Sequence, residues 1–508
     1  MFETLEAQER VRNQYWEKKD YFLPLRLKWR AQLVRHLFHL LPGESILDLG
    51  CGDGRWTHEI SKANKNANPI CAATFDPSCY DHLKEQNLPK NIESLLLTSL
   101  PGKLDNRKFD YIVAWHMLPA DQYGQFLSSI KKLLKPGGQF LLFEPNPWNP
   151  YYVLRRTLSR LMFFIKSKVK KYAFNRIQML SILSEIGFVG VKILPYDFLF
   201  PPIPKLLLSP MRNLSLVLEN MPYVRNFAGE LYLLGQNPAP EGWQKPKVSL
   251  TRHETLNQRV SFVVPCHNEE ANIVLLVENL RGYYNDYIHE IVLVDDNSRD
   301  RTAAVAEQLA KEDPRIKLVR RSMPNGVGRA LRDGLAAASG DYILLMDCDF
   351  QHILPELTGL FEAADQGADV AIGSRFSRDS VLLNYPFTKI LANRVFHILA
   401  RILFQKHLRD LTNNLKLMKL EVARKLNLES DDFAANAETG LQPLLMGYNV
   451  VEVPISWINR SVDMGFSSFS LSQTGPNYLK VFLRLFGRRM FGKDIVLPAA
   501  KQPKPDTP

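Results

Sequence analysis

The chain is poor in cysteine, with five in 508 residues. Cys51, Cys71, Cys79, Cys266 and Cys348 form no C-x-x-C pair. That scatter excludes a disulfide framework and a cysteine zinc site, and it suits a reducing compartment. No uninterrupted apolar run reaches about 18 residues, so no evident transmembrane helix is expected. The opening MFETLEAQERVRNQYWEKKD is charged throughout and lacks an apolar core, which argues against a secretory signal. Internal repeats are missing too, beyond a shared α/β style. These absences lead us to expect a cytoplasmic protein, soluble or associated with the cytoplasmic face of a membrane.

What is present is an ordinary globular composition, 45% hydrophobic and 23% charged, which excludes disorder, collagen and coiled coil as the main state. The length favours two large domains or three small ones. Lys+Arg 64 against Asp+Glu 53 gives a net charge of +11. A basic balance suits nucleotides, phospholipid head groups or nucleic acid, without choosing among them. Two α/β patterns are legible. The first opens with a polar helical leader. Strand-like runs follow at Ser45–Leu49, Pro69–Phe75, Phe109–Trp115 and Gln139–Glu144. A helix over Phe126–Leu134 is expected to stop at the turn signal Lys135-Pro136-Gly137-Gly138. From Gly235 to Gln258 the periodicity vanishes and prolines cluster, so a linker is expected over 236–258. A new strand opens at Val260, and strand–helix alternation resumes to about residue 376. The expected architecture is α/β: two doubly wound domains with parallel sheets, at 1–235 and 259–475, then a basic amphipathic helix and tail at 476–508.

In the first domain a strand runs into Asp48-Leu49-Gly50-Cys51-Gly52-Asp53-Gly54, then a helix. Glycines let the backbone turn sharply and approach a ligand, while amide N–H groups and a helix start favour negative charge. Asp76 closes the second strand, where a carboxylate can accept hydrogen bonds from ribose hydroxyls. With the strand ending Trp115-His116 and the run LLKPGGQFLLFEPN, this pattern resembles the class I S-adenosylmethionine-dependent methyltransferases over roughly residues 1–240. The resemblance implies a Rossmann-like fold and S-adenosyl-L-methionine contacts on Asp48, Gly50, Gly52, Gly54 and Asp76. Many members carry an acid after the third strand; here Thr98-Ser99 stands in that place, and Thr98 is the candidate adenine contact. His116 is read as a pocket wall in preference to a base. Between Tyr151 and Arg176 the chain carries eight Lys or Arg and no acid. Leu154, Leu158, Leu161, Ile165 and Val169 share one helical face. Such a segment suits either an interface with anionic lipid or a helix with a solvated basic face.

The second domain sets carboxylates at successive strand ends. Pro265-Cys266-His267-Asn268-Glu269 is followed by Asp295-Asp296, Asn325-Gly326-Val327-Gly328 and Asp347-Cys348-Asp349-Phe350-Gln351. Charge at strand ends sits where α/β sheets bind ligands. Asp-x-Asp offers a hard-cation site that a ligand's phosphates can complete. This ordered set resembles the family 2 glycosyltransferases of GT-A fold, in the dolichol-phosphate-mannose-synthase-like branch, over roughly residues 258–470. The resemblance implies a UDP- or GDP-linked sugar donor held by Pro265, Glu269, Asp296, Asp347 and Gln351. It places Mg²⁺ or Mn²⁺ on Asp347, Asp349 and Gln351. Gly373-Ser374-Arg375-Phe376 matches the family's G-S-R-aromatic strand, with Asn393-Arg394 on the helix after it. Asp410 and Thr412 match the family's Asp-x-Thr segment, where Asn414, Leu415 and Lys416 depart from it. Asp410 is the candidate base or acceptor-site residue, alongside Asp349. Since a lipid phosphate is already anionic, Arg394, Lys416 or Arg460 would matter more than a base. The family's Gly-x-Ser-Lys reads Gly465-Phe466-Ser467-Ser468. Basic-apolar segments at Pro386–Arg409 and Pro476–Lys493 suit a peripheral membrane contact.

The sequence thus leads us to expect a bifunctional transferase, joining glycosyl transfer onto a polyprenyl phosphate or related lipid to methylation in the same glycolipid pathway. A second reading makes the first domain a cofactor-binding regulatory module. A third, RNA methylation, has no RNA-binding motif to support it, and nucleic acid is not expected as a partner.

Overall fold

The computed structural model describes residues 2–17, 23–119, 122–154, 175–199, 203–243, 245–377, 379–380, 382–383, 385, 387–405, 408–458 and 471–490. The chain divides into two compact units, Met1–Pro246 and Lys247–Pro508. Each is built on a seven-stranded sheet flanked by helices.

In the first unit the strands are β1 (Ile46–Leu49), β2 (Ile70–Thr74), β3 (Ile92–Leu96), β4 (Phe109–Trp115), β5 (Leu134–Pro145), β6 (Val189–Tyr196) and β7 (Glu230–Gln236). Their order is β3-β2-β1-β4-β5-β7-β6. Every residue of β1 and β2 is buried, as expected for parallel central strands covered on both faces. Helices α1 (Phe2–Glu17), α2 (Leu23–Phe38), α3 (Arg55–Ala63), α4 (Pro77–Glu85) and α5 (Tyr123–Leu133) precede the later helices 176–186 and 208–220. The core gathers Leu47, Ala73, Ile112, Phe126, Phe140 and Leu231.

In the second unit the strands are β8 (Val260–Cys266), β9 (Ile288–Asp295), β10 (Ile316–Arg320), β11 (Tyr342–Leu345), β12 (Val370–Ser374), β13 (Leu382–Leu383), β14 (Lys416–Lys419), β15 (Val450–Pro454) and β16 (Trp457–Ile458). The main sheet runs β10-β9-β8-β11-β14-β12-β15, and β13 pairs with β16 separately. The helices Phe387–Phe404 and Leu471–Met490 pack together through Phe396, Phe404 and Phe482, with ring centroids about 5 Å apart. No helix among the described residues is long and apolar enough to cross a membrane.

One reading of the sequence is corrected here. Both sheets are mixed, because β7 runs antiparallel to β5 and β6, and β14 runs antiparallel to β11 and β12. The Lys135–Gly138 signal follows the end of helix α5 at Leu133, where a stop was expected. It is absorbed into β5 as a bulge, between the pairs Phe109↔Leu134 and Tyr111↔Gln139. Gly137 takes a positive φ of 75° there, with the Trp243 ring packed where a side chain would stand. The proline-rich stretch makes contacts within each unit. Gly235 and Gln236 finish β7 against Phe140 and Gln139. Lys245 reaches Glu44 at 2.8 Å and the Tyr111 hydroxyl at 2.6 Å, and Leu250 N–H donates to Tyr283 O. Backbone and aromatic contacts of this kind leave no trace in apolar periodicity.

The 326–328 turn is pinned by backbone. A β-carbon on Gly328 would meet the Ser430 carbonyl oxygen at 2.1 Å. Gly328→Ala should therefore cost about 1–3 kcal/mol through forced backbone displacement. Urea unfolding of the full chain checks this; an unchanged midpoint would show that the 430–431 segment yields freely.

Candidate active sites

In the first unit the ligand edge of the sheet gathers the strand ends of β1, β2 and β4. Gly50, Gly52 and Gly54 all adopt positive φ, at 75°, 60° and 78°, so the loop turns sharply at the end of β1. Asp48 at the end of β1 is fully buried, and its Oδ2 accepts from the Thr57 hydroxyl at 2.6 Å. Its Oδ1 has no hydrogen-bond partner among the described residues. Burial pushes the Asp48 carboxyl up to about 7, against the opposing Thr57 bond. A buried carboxylate oxygen left free to accept, beside a glycine cradle, fits the amino and hydroxyl groups of a nucleoside cofactor. Asp76 caps α4 by accepting from Ser78 N–H at 3.0 Å, and it also pairs with Arg10 at 3.3 Å. Thr98 is exposed just beyond β3.

His116 follows β4 in a left-handed conformation, φ 53°, with Nε2 3.2 Å from Glu230. Burial lowers its basicity, against the hydrogen bond and charge of Glu230 that raise it. Below it lies a buried charge cluster that the sequence did not reveal. Arg26 binds Glu230 at 3.1 Å and Asp197 at 3.2 Å, and Arg30 also binds Glu230. The Arg30 guanidinium stacks 4.0 Å from the Trp115 ring centre. Burial opposes ionisation of Glu230, but Arg30 and His116 outweigh it and hold the carboxyl well below its usual range. Glu144, near the end of β5, accepts from Leu118 N–H at 2.9 Å, and burial pushes it up to about 8. These partners come from segments 26–30, 116, 144, 197 and 230, too far apart in sequence for a spacing rule to join them.

In the second unit the pairs Cys266↔Asp295 and Val263↔Leu345 bring the ends of β8, β9 and β11 to one edge. Glu269 caps the helix Glu270–Tyr284; its N–H donates to the Thr302 hydroxyl at 2.8 Å and Oε2 accepts from Asn272 at 2.6 Å. Pro265 is half-buried in β8. Asp296 accepts from Gly326 N–H at 2.7 Å and pairs with Arg321, so it orders the glycine turn from below. Asp347 and Asp349 follow β11, with Asn414 donating to Asp347 Oδ1 at 2.7 Å. Among the described residues no third His, Cys, Asp or Glu joins them in a metal-binding group. Two hard oxygen ligands fit a divalent cation whose remaining sites are filled by phosphates and water. The side chain of Gln351, Arg460, the Gly465–Ser468 segment, the basic run 155–171 and Lys493 lie outside the described residues.

Asp410 is fully buried, and both of its oxygens are engaged by Arg375, at 2.7 Å and 2.8 Å. Burial opposes its ionisation, yet Arg375 holds it below the usual carboxylate range. The geometry makes Asp410 the anchor of Arg375, which is further enclosed by Phe376, Tyr385 and Trp457 rings. Asn393 lies 3.4 Å from Asp410, and Glu452 accepts the Arg409 and Asp410 amides, each at 2.7 Å. His397 accepts from Leu411 N–H at 2.8 Å through Nε2, so its Nδ1 carries the proton to Asn393 O at 2.7 Å. Arg394 rests 4.5 Å over the Phe376 ring. Lys416 is buried within β14, with Nζ donating to the carbonyls of Asn413 and Asn436 and within electrostatic reach of Asp410 and Asp347.

The model of Glycosyl transferase family 2 matches residues 261–426, and a methyltransferase-domain model matches residues 19–192. The chain is 31% identical over 231 residues to polyprenol monophosphomannose synthase of Mycolicibacterium smegmatis, covering 44% of this chain and 86% of that protein. It is 32% identical over 203 residues to dolichol-phosphate mannosyltransferase of Pyrococcus furiosus, covering 39% of this chain and 56% of that one. Among solved structures, glucosyl-3-phosphoglycerate synthase of Mycobacterium tuberculosis overlaps with a TM-score of 0.37 at 18% identity, over 48% of this chain and 86% of that one.

Burial lowers the Lys416 ammonium from 10.5 to about 7. The unfolded chain then binds more protons between those values, so this group makes stability rise with pH across that window. Lys416→Met should flatten that rise. Urea midpoints at pH 7 and pH 9 measure it, and equal pH slopes in both proteins would refute it. Asp410→Asn should cost about 3–5 kcal/mol by leaving Arg375 buried and unpaired, read as a lowered melting temperature. An unchanged melting temperature would mean that Arg375 finds another partner.

Proposed function

The chain belongs to glycosyl transferase family 2, with a methyltransferase domain ahead of the family region, and from that premise we propose that its second unit glycosylates a polyprenyl phosphate or related lipid. The observation that carries the proposal is the helix Phe387–Phe404. One face supplies Asn393, Arg394 and His397 to the Arg375–Asp410 centre. The opposite face leaves Leu391, Ile398 and Ile402 exposed at 63%, 58% and 66%, with Val395 and Leu399 beside them. The neighbouring helix Leu471–Met490 exposes Leu479, Leu483 and Met490. Its cations Arg484 and Arg488 face inward onto Glu429. Apolar stripes beside a polar centre fit an acceptor whose tail stays in lipid while its phosphate enters the protein.

The chemistry asked of the residues is modest. A phosphate oxygen of the acceptor attacks the anomeric carbon, the bond from that carbon to the nucleotide diphosphate breaks, and the electron pair leaves with the diphosphate. No proton need move, because the acceptor is already anionic. Asp347 and Asp349 would hold Mg²⁺ or Mn²⁺, which neutralises charge on the leaving diphosphate. Glu269 and Asp296 shape the donor edge, and Arg394 offers a cation to the acceptor phosphate. The first unit would bind S-adenosyl-L-methionine through Asp48, Gly50, Gly52 and Asp76 and methylate the sugar, the lipid or a pathway neighbour. Its contribution is positioning the methyl donor against a nucleophile, so it needs no obligatory base.

Incubating the protein with polyprenyl phosphate, Mn²⁺ or Mg²⁺ and a panel of nucleotide sugars should yield a glycolipid by mass spectrometry. Asp349→Ala should abolish it. No product with any donor would move the acceptor to another class. A further methyl on that product, seen only with S-adenosylmethionine, would place both units on one molecule. Replacing Leu391, Ile398 and Ile402 together by Asp should strip the chain from anionic liposomes in flotation; retention would refute the stripe as the membrane face.

A further inference from the structure

Helix α1 lies across the ligand edge of the first unit and takes the polar groups gathered there. The Glu9 carboxylate accepts from Gly52 N–H at 2.7 Å, Phe75 N–H at 2.7 Å and the Thr74 hydroxyl at 2.8 Å. Arg10 pairs with Asp76 at 3.3 Å. Arg12 donates to the Trp115 carbonyl at 2.8 Å, and Gln8 donates to the Leu118 carbonyl at 3.2 Å. The helix thus bridges the ends of β1, β2 and β4, the three strand ends along which a nucleoside cofactor would lie. The fit is close: a β-carbon on Gly52 would stand 2.8 Å from Asn13 Oδ1 and 2.9 Å from Arg12 Nη2.

We propose that α1 is a strap that fills the cofactor groove of the ligand-free protein and is displaced when the cofactor enters. The inference rests on reading the groove as a methyl-donor site. Glu9 gives the cradle amides the anion they favour, and Arg10 gives Asp76 a hydrogen-bond donor where ribose hydroxyls would supply theirs. Two features make the strap exchangeable. Among the described side chains of α1 the buried ones are Leu5, Gln8, Glu9 and Arg12, of which Leu5 is the apolar one. The Glu9 carboxylate is buried with one guanidinium at 3.8 Å, and returning that charge to water offsets much of the loss of its three hydrogen bonds. A groove open only part of the time weakens apparent affinity in proportion to its closed fraction.

The test uses the full chain and S-adenosylhomocysteine as probe. Wild type, Glu9→Ala and Arg10→Ala are compared by isothermal titration calorimetry and hydrogen exchange. Arg10 is half-exposed at the rim, so its variant guards against a folding defect in the buried one. Both variants should bind roughly fivefold or more tightly than wild type if the strap is closed most of the time. The ligand should also speed exchange of the 2–17 amides in wild type. Weaker binding by both variants, with α1 more protected when ligand is present, would make α1 a lid over the cofactor and overturn the proposal. Equal affinities with α1 protection unchanged by ligand would overturn it as well. If no protein binds although α1 exchanges fast in both variants, the methyl-donor reading of the groove falls, and displacement by cofactor falls with it. The ligand-free exchange data would then attribute that failure to the cofactor reading, since they report the docking of α1 by itself.

Discussion

Both units obey the same constraint on how parallel strands can be connected. A crossover between parallel strands is right-handed, so a sheet that grows first to one side and then to the other must place its helices on opposite faces. At the strand where growth reverses, two connections leave in opposite directions and a crevice opens at the carboxyl ends. In the first sheet the reversal lies between β1 and β4, and in the second between β8 and β11. The glycine cradle and His116 flank the first crevice; Glu269 and the Asp347–Asp349 pair flank the second. Left-handed residues recur at these junctions, at His116, Asn268 and Asn297, where a strand must turn sharply to clear the crevice. Everything chemical in the chain depends on that reversal.

The second organising theme is how each unit handles buried charge. Asp410 would be intolerable alone in the core, and Arg375 matches it with paired bonds at 2.7 Å and 2.8 Å. In the first unit the account is less balanced. Arg26, Arg30, Asp197 and Glu230 form a connected cluster, while Glu144 and Asp48 are pushed toward their protonated forms by burial. Carboxyls held near neutrality beside a groove answer readily to whatever enters it. The Glu9 carboxylate of α1, buried against the Gly52 and Phe75 amides, belongs to the same unit.

The helix Phe387–Phe404 shows how one element serves two environments. Its inward side carries Asn393 and His397, which lock the Asp410 loop, and its outward side is a row of aliphatic side chains. A helix with this division is stable only when a neighbour covers part of its apolar surface. The contacts of Phe396 and Phe404 with Phe482 supply that cover and leave the outer row exposed. Position on the helix, a few residues apart, separates its polar face from its aliphatic one.

Local pattern carried a large part of this into the sequence. The strands around Ile46–Leu49 and Val260–Cys266 announce themselves by short, mostly apolar runs, and the glycine loop and Asp-x-Asp pair by residue types at fixed spacing. Those signals are short-range, and they name the two chemistries and the two domains. Tertiary structure decided what depends on distant partners. It made the sheets mixed, because an antiparallel strand such as β14 has the same composition as a parallel one. It turned Lys135–Gly138 into a bulge, since Tyr111 and Trp243 supply its contacts from far along the chain. It buried Lys416 and bound Asp410 to Arg375, 35 residues away. It also laid Glu9 on Gly52, across 43 residues that no periodicity spans. Residue type fixes what a side chain can do, while its partners in space fix what it does, and those partners are chosen by how the sheet folds back on itself.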